Sequence, residues 1–108
     1  MAKKKTPVLN SFGQTLRVRT GYDLAGWTVL EIRLRQPDET TVVTLDNTVE
    51  GVAVDGADAD GVLIVVIPEA KKWAQVGEVK ITGRVVKASS DLTSDPPGKV
   101  VVVAEHAN

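Results

Sequence analysis

The chain of 108 residues is long enough for one domain, and it contains no cysteine, which excludes disulfides, thiolate chemistry and cysteine-based zinc sites. Its 13 basic and 14 acidic residues leave a net charge of −1, but three lysines lie in the first five residues. The remainder is therefore acidic, which gives no support to nucleic-acid binding, since that function needs clustered cations. No apolar run approaches the roughly 18 residues of a membrane span, and no apolar segment follows the basic start. We therefore expect neither a membrane segment nor a secretory signal.

Residues 1–13 are predicted to form an N-terminal arm, because Pro7 and Gly13 are among several residues that break any periodic pattern there. The lysine run could contact an acidic partner, although a solvated, frayed terminus is the simpler interpretation. The apolar side chains of Leu9 and Phe12 could pack on the domain or on a neighbouring molecule. The candidate partner-binding residues of the arm are Lys3, Lys4, Lys5, Leu9 and Phe12.

The body of the chain, residues 14–104, is predicted as short strands separated by turns. Residues 14–20 and 27–35 alternate between apolar and polar side chains, which is the period of two typical of half-buried strands. Pro37 is suited to the first central position of a turn, and residues 40–45 resume with β-branched side chains. Residues 27–35 and 40–45 are therefore predicted to form a hairpin.

Four further strands are predicted at residues 49–54, 61–67, 77–87 and 99–104. The run 61–67 is continuously apolar, which favours a strand buried on both faces, and Pro68 ends it. Residues 68–74 are long enough only for one helical turn. Gly83 is a candidate bulge in the strand that contains it. The Ser- and Pro-rich segment 88–98 is predicted as a loop, and residues 105–108 as a short C-terminal tail.

Seven strand-like segments, with turn signals every eight to twelve residues, indicate a single antiparallel β-sandwich, and a small barrel is the alternative. Most of the 19 valines fall in blocks that each end at a turn, which suits β-branched packing between sheets. The block at 100–103 forms an apolar strand near one end of the chain. Such a strand must be covered by the domain's own sheet or by a partner.

Catalytic chemistry has little support in the sequence. The one histidine, His106, is the third residue from the C-terminal end, in a tail where a fixed partner for an imidazole is rarely supplied. The acidic run Asp55, Asp58 and Asp60 resembles a calcium loop, but an EF-hand register places Gly56 and Ile67 at ligand positions. An acidic turn between strands is favoured, and a weak calcium site stays open. We expect a protein without enzymatic activity, cofactor or small-molecule substrate.

Two sets of side chains suggest binding surfaces. Trp27 and Trp73 could stack on a sugar or a base, and Tyr22 could join them in binding carbohydrate, although packing is the simpler interpretation. If strands 14–20 and 27–35 are neighbours, four outward arginines would form a basic stripe that could dock an acidic protein surface, with a solvated face as the alternative. These arginines are Arg17, Arg19, Arg33 and Arg35.

The turn sequence at residues 20–26, followed by the strand and hairpin sequence at 33–40, resembles the start of Ig-like modules in bacteriophage tail proteins, including the N-terminal domain of baseplate upper proteins. The segment from Gly61 to Pro68, with Trp73 and Gly77 after it, is similar to the second half of those modules. The resemblance covers residues 14–103. The sequence differs from the family pattern at Glu39, where glycine is usual, and at Trp73, which precedes Gly77.

The resemblance implies a single Ig-like β-sandwich of about seven strands in a non-enzymatic virion protein. Such a protein would be made in the host cytoplasm and located in the tail region, as a tail, fibre-attachment or head–tail accessory component. Its implied partners are other virion proteins and copies of itself in a symmetric assembly, without nucleic acid or membrane. The alternative hypothesis is a β-sandwich module that binds carbohydrate or a host surface.

Overall fold

The computed structural model describes residues 7–94 and 98–104 and shows an all-β protein in which two antiparallel sheets pack as a sandwich. The described chain has eight strands, one more than predicted. They are β1 (Thr15–Arg19), β2 (Val29–Arg35), β3 (Val42–Asp46), β4 (Ala53–Val54), β5 (Val62–Val66), β6 (Gly77–Lys87), β7 (Ser90–Thr93) and β8 (Gly98–Val102). Two single-turn 3₁₀ helices, Asp58–Asp60 and Glu69–Lys71, connect strands. No helix in the described part is long and apolar enough to cross a membrane.

One sheet has the strand order β1-β5-β4, and the other has the order β3-β2-β6, with β7 and β8 pairing successive parts of β6. An Ig-like sandwich places its B, E and D strands in one sheet and its C, F and G strands in the other. The observed order matches this arrangement, with β3 as an added C′ strand. The two separate sheets confirm the predicted sandwich over the barrel, and the hairpin of β2 and β3 is confirmed.

The core lies between the sheets and is built by the inward positions of the alternating strands. On β2 these positions carry Leu30, Ile32 and Leu34, which are all buried, and their polar neighbours face outward. The longest strand, β6, contributes Val79 and Val85 from the same sheet. Because side chains on a strand alternate between faces, the apolar alternation in the sequence identified this inner face correctly.

Three local predictions are wrong. Only Ala53–Val54 forms a strand within residues 49–54, because the Asp46 carboxylate accepts hydrogen bonds from the backbone N–H groups of Thr48 and Val49 and folds the chain into a turn. The strand β5 is buried on one face only, and Val66 on its outer face is 54% exposed. The predicted loop 88–98 contains β7, which pairs with the end of β6.

Gly83 does not form a bulge, since it pairs in regular register with Ile32. A Cβ atom at this position would lie 3.0 Å from Thr20 Cγ2 and 3.3 Å from Leu63 Cδ1 in the opposite sheet. The glycine therefore allows the two sheets to approach closely. Gly83 lies between the part of β6 that pairs with β8 and the part that pairs with β7. The backbone N–H of Gly83 donates to Ser94 Oγ, and its carbonyl oxygen accepts from the N–H of Ser94.

Candidate partner-binding surfaces

An open groove of about 500 Å³ separates β1, at the edge of one sheet, from β8, at the edge of the other. Leu16, Val18 and Ile81 supply apolar side chains to its lining, and Arg17 and Lys99 supply cations. Among the described residues, β1 pairs only with β5, and β8 pairs only with β6. Both strands therefore present a free edge to the groove.

The backbone pattern shows which groups face the groove. Gln14 and Thr20 form their backbone hydrogen bonds with Ile67 and Gly61 at the two ends of β5, so every second residue from 14 to 20 faces β5. The N–H and C=O groups of residues 15, 17 and 19 consequently point away from β5. On β8, Val103 just beyond the strand bonds to Pro7 and Leu9, on the side away from β6. By the same alternation, Lys99 and Val101 direct their backbone groups to that free side.

Part of the predicted arm lies within the fold. Residues 7–13 run along the sandwich, where Val8 forms a parallel bridge with Val103, and Asn10 donates a hydrogen bond to the carbonyl oxygen of Trp73. The side chain of Leu9 packs on the core, and that of Phe12 is 49% exposed. Of Leu9 and Phe12, Phe12 is thus the one available to a neighbouring molecule.

The predicted candidates Lys3, Lys4 and Lys5 lie outside the described residues, as does His106 in the predicted C-terminal tail.

The predicted arginine stripe across strands 14–20 and 27–35 is wrong, because β1 and β2 belong to different sheets. Arg17 and Arg19 lie on the outer face of the three-stranded sheet, and Arg17 Nε pairs with Asp55 Oδ2 at 2.8 Å. Arg33 and Arg35 lie on the outer face of the five-stranded sheet. Local periodicity shows which side chains share a face of one strand, but it does not show which strands become neighbours.

A different basic row is present on the five-stranded sheet. Arg35 on β2 lies directly opposite Lys80 on β6, and Lys80 lies directly opposite Lys99 on β8. Arg33 is on the same face, where its Nε lies 3.3 Å from Glu31 Oε1. The row borders a depression of about 340 Å³ that is lined by Arg33, Arg35, Val42, Lys80, Thr82 and Thr93.

This row could not be found from the sequence, because two of its three members lie outside the predicted arginine set. We call Arg35, Lys80 and Lys99 the cation row. Like charges directly opposite each other on neighbouring strands are destabilising, so the row is not explained by stability of the sheet. The described acid nearest to it is Glu39, whose Oε1 lies 3.7 Å from Lys80 Nζ on a largely exposed side chain.

The aromatic side chains considered for sugar stacking are engaged within the fold. Trp73 is 2% exposed, and its indole N–H donates a hydrogen bond to Gln14. The indole N–H of Trp27 donates to the carbonyl oxygen of Asp23, and Lys87 Nζ lies 4.6 Å from its ring centroid. Tyr22 donates its hydroxyl hydrogen to the carbonyl oxygen of Thr93. These contacts favour the packing interpretation.

The acidic loop at residues 55–61 does not gather ligands for a metal. Within residues 7–94 and 98–104, no group of three or more histidine, aspartate or glutamate side chains could hold a metal ion. Asp55 turns toward Arg17, whereas Asp58 and Asp60 are exposed on a 3₁₀ turn. Gly61 ends this turn at φ +70°, and a Cβ there would lie 2.5 Å from the carbonyl oxygen of Tyr22.

The strand order defines this protein as an Ig-like β-sandwich, and the groove between β1 and β8 leaves it open along one side. Comparison of the chain with protein-family models, with curated proteins and with solved structures finds no match.

Proposed function

We propose that this protein is a non-enzymatic assembly module of a bacteriophage virion, a small tail, fibre-attachment or head–tail component that binds partner chains through its open sheet edges. The single observation that carries the proposal is the groove between β1 and β8. In the A-B-E-D sheet of an Ig-like sandwich, strand A lies beside strand B, and β1 occupies the position of strand B here. No strand of the described residues lies beside β1 on that side, so the position is available to an added strand.

Strand addition is a well-suited mode of binding for this groove. An extended segment placed there would receive backbone hydrogen bonds from the free sides of Arg17 and Val101, and from the residues that alternate with them. The apolar lining would take its inward side chains, as Val18 is buried at the groove's inner wall. Main-chain hydrogen bonds would supply affinity, and the apolar positions would supply selectivity.

The location in a virion is supported by the resemblance of residues 14–103 to Ig-like modules of phage tail proteins, and the strand order agrees with the Ig-like part of that resemblance. Localisation in the tail region and contacts with other virion proteins are parts of the same proposal. The alternative, a carbohydrate-binding module, has less support, since Trp73 is buried and Trp27 is covered by Lys87.

A proline substitution tests the edge contact directly. Val101→Pro removes an N–H group on the free side of β8, and it leaves the ladder between β8 and β6 intact. Val42→Pro is the matched control, because Val42 begins β3 at the opposite edge of the same sheet and is similarly exposed, at 45% against 52%. Each variant is expressed with a tag during phage assembly, and its incorporation into purified particles is measured by immunoblot.

We expect wild-type protein and Val42→Pro to be incorporated equally, and Val101→Pro to be reduced by about tenfold or more, a loss of ~1.4 kcal/mol in binding. Thermal unfolding of the free variants verifies that each is folded. Absence of the wild-type chain from purified particles contradicts the virion role. Equal incorporation of folded Val101→Pro contradicts strand addition at β8. Saturable quenching of Trp27 fluorescence by a glycan would favour the alternative.

A further inference from the structure

The cation row begins at Lys99 beside the groove and extends across the sheet to Lys80 and Arg35, which strand addition at the groove does not use. Its members lie on the outer face of the five-stranded sheet, with Lys80 in the middle strand of the three. Cross-strand neighbours have Cβ atoms about 4.5–5.5 Å apart, so three cations lie side by side within about 10 Å. A surface of this kind gains most from a partner that brings several carboxylates at once.

A second exposed surface of the same chain carries the opposite charge. Leu24 donates a backbone hydrogen bond to Asp58, and this bond joins the loop after β1 to the 3₁₀ turn Asp58–Asp60. The loop and turn together expose Asp23, Asp58 and Asp60, and none of the three forms an ion pair with another described residue. We call these three aspartates the acidic tip.

The acidic tip and the cation row lie toward opposite ends of the sandwich. The loop that carries Asp23 leads from the end of β1 to the start of β2, at Val29. Arg35 is the last residue of β2, at the far end of the same strand. One molecule therefore cannot bring its own tip to its own row, but the tip of a second copy can reach the row without crossing the sheet.

We propose that the cation row binds the acidic tip of a second copy of this chain, so that copies associate head to tail. The inference rests on the proposed assembly role and names a partner for it. Because the two surfaces differ, the contact is heterologous, and repeating it produces a ring or an open filament. Several pairs acting together would favour the correct orientation and a fast encounter more than a very tight complex.

An acidic copy of the chain is favoured over a polynucleotide as the occupant. Single-stranded nucleic acids are bound by aromatic stacking platforms beside cations, whereas the uncharged side chains that line the depression next to the row are valine and threonine. The face also carries Glu31 and Glu78, which would repel a continuous phosphate backbone. Separate carboxylates on a protein loop can avoid these positions.

Charge-exchange variants test the contact. The first variant, Arg35→Glu with Lys80→Glu, makes the row acidic, and the second, Asp58→Lys with Asp60→Lys, makes the tip basic. The affinity of self-association is measured by sedimentation velocity over a range of protein concentrations at low salt and at about 1 M salt, where the Debye length is only about 3 Å. Lys72→Glu is compared with Arg35→Glu as a matched control, because both side chains are exposed and undergo the same change of charge.

We expect the wild-type chain to self-associate at low salt and to dissociate at high salt. Each double variant alone should associate at least about tenfold more weakly, since its row and tip have the same sign. An equimolar mixture of the two should recover an affinity within about threefold of wild type, because each row then meets a tip of opposite charge. Lys72→Glu should behave as wild type.

Three results would overturn the proposal: a wild-type chain that remains monomeric at millimolar concentration, association that is unaffected by the variants, or double variants that do not rescue each other. A monomeric wild-type chain that binds a synthetic oligoglutamate peptide would identify another acidic protein as the occupant. If the charge-exchange variants behave as expected but Val101→Pro is incorporated as well as wild type, strand addition is contradicted and head-to-tail association is retained.

Discussion

The two sides of the sandwich differ in how their edges are closed. On one side, a short connection joins β3 to β4 across the two sheets. Beside it, Lys71 Nζ lies 2.9 Å from Glu50 Oε2 and donates a hydrogen bond of 2.6 Å to the carbonyl oxygen of Thr44 on β3. On the other side, β1 and β8 leave a groove of about 500 Å³ between them. We call the side of β3 and β4 the closed side and the side of β1 and β8 the open side. The closed side contributes internal stability, whereas the open side keeps unpaired backbone groups that can bind a partner.

The largest effect is expected from breaking the closed side. Lys71→Ala leaves the Glu50 carboxylate, which is 4% exposed, without its cation, and it removes the donor to Thr44. We expect the free energy of unfolding to fall by about 2–3 kcal/mol, because an unpaired buried charge is costly and Lys71 itself is partly hydrated. Urea denaturation measures this change.

Lys72→Ala is the control for that substitution, since the neighbouring lysine is exposed and should change stability by no more than about 0.5 kcal/mol. Equal, small effects of the two variants would show that the Lys71 contacts do not close this side.

A somewhat smaller effect is expected where the two sheets approach most closely. Gly83→Ala would place a Cβ atom 3.0 Å from Thr20 Cγ2, so the Thr20 side chain must give way. Overpacking of this kind costs about 1–3 kcal/mol, and we expect the lower half of that range because a methyl group can be displaced. Thermal unfolding provides the measurement. Thr20→Ser in the Gly83→Ala background should recover part of the loss, and an unchanged melting temperature in Gly83→Ala would contradict the close approach.

The carboxylates in the turns beside β3 should make the stability of the protein depend on pH in the acidic range. Hydrogen bonds from the backbone of Val49 and the hydroxyl of Thr48 lower the pKa of Asp46 below its usual 3.8, and the hydroxyl and backbone N–H of Thr41 lower the pKa of Asp38. A lowered folded-state pKa contributes stability above the unfolded value, and this contribution is lost as the pH falls through the folded value.

We therefore expect unfolding free energy to decrease below about pH 4, and the decrease to be shallower in Asp46→Asn than in wild type. Urea midpoints measured between about pH 2 and pH 6 give the two profiles. Parallel profiles for the two proteins would contradict a role for the Asp46 carboxylate in this turn.

The smallest effect is expected on the open side. Arg17 pairs with Asp55 across the outer face of the three-stranded sheet, but its side chain is largely exposed. Exposed ion pairs contribute about 0–1 kcal/mol, so Arg17→Ala should alter stability by less than about 0.5 kcal/mol. A loss as large as that of Lys71→Ala would mean that the open side is part of the stabilising framework, and the contrast between the sides would fail.

The sequence allowed the sandwich, the β2–β3 hairpin and the inner face of β2 to be predicted, because each depends on local alternation or turn chemistry. The strand β7 was missed because its sequence is short and polar. It forms a tight hairpin with β6, in which Lys87 lies opposite Ser90 and Arg84 makes a bidentate bond with Asp91. The segment 49–54 was misread because the Asp46 side chain competes with strand formation.

The candidate surfaces were harder to predict than the strands. Arg35, Lys80 and Lys99 are far apart in the chain, and only the register of three strands brings them into one row. The groove between β1 and β8 likewise depends on which sheet each edge strand joins. Sequence periodicity carries information on the faces of a strand but none on its neighbours, so the predicted arginine stripe joined residues that lie on opposite sides of the sandwich.

Amide hydrogen exchange of the protein, free and incorporated into particles, tests strand addition most directly. The amides of Arg17, Lys99 and Val101 point to the free side of their strands, so they should exchange quickly in the free protein and become protected on incorporation. The amides of Val18 and Val102, which face their own sheets, should be protected in both states. Groove-facing amides that are already protected in the free chain, or that still exchange quickly in particles, would contradict binding of a partner strand at the open side.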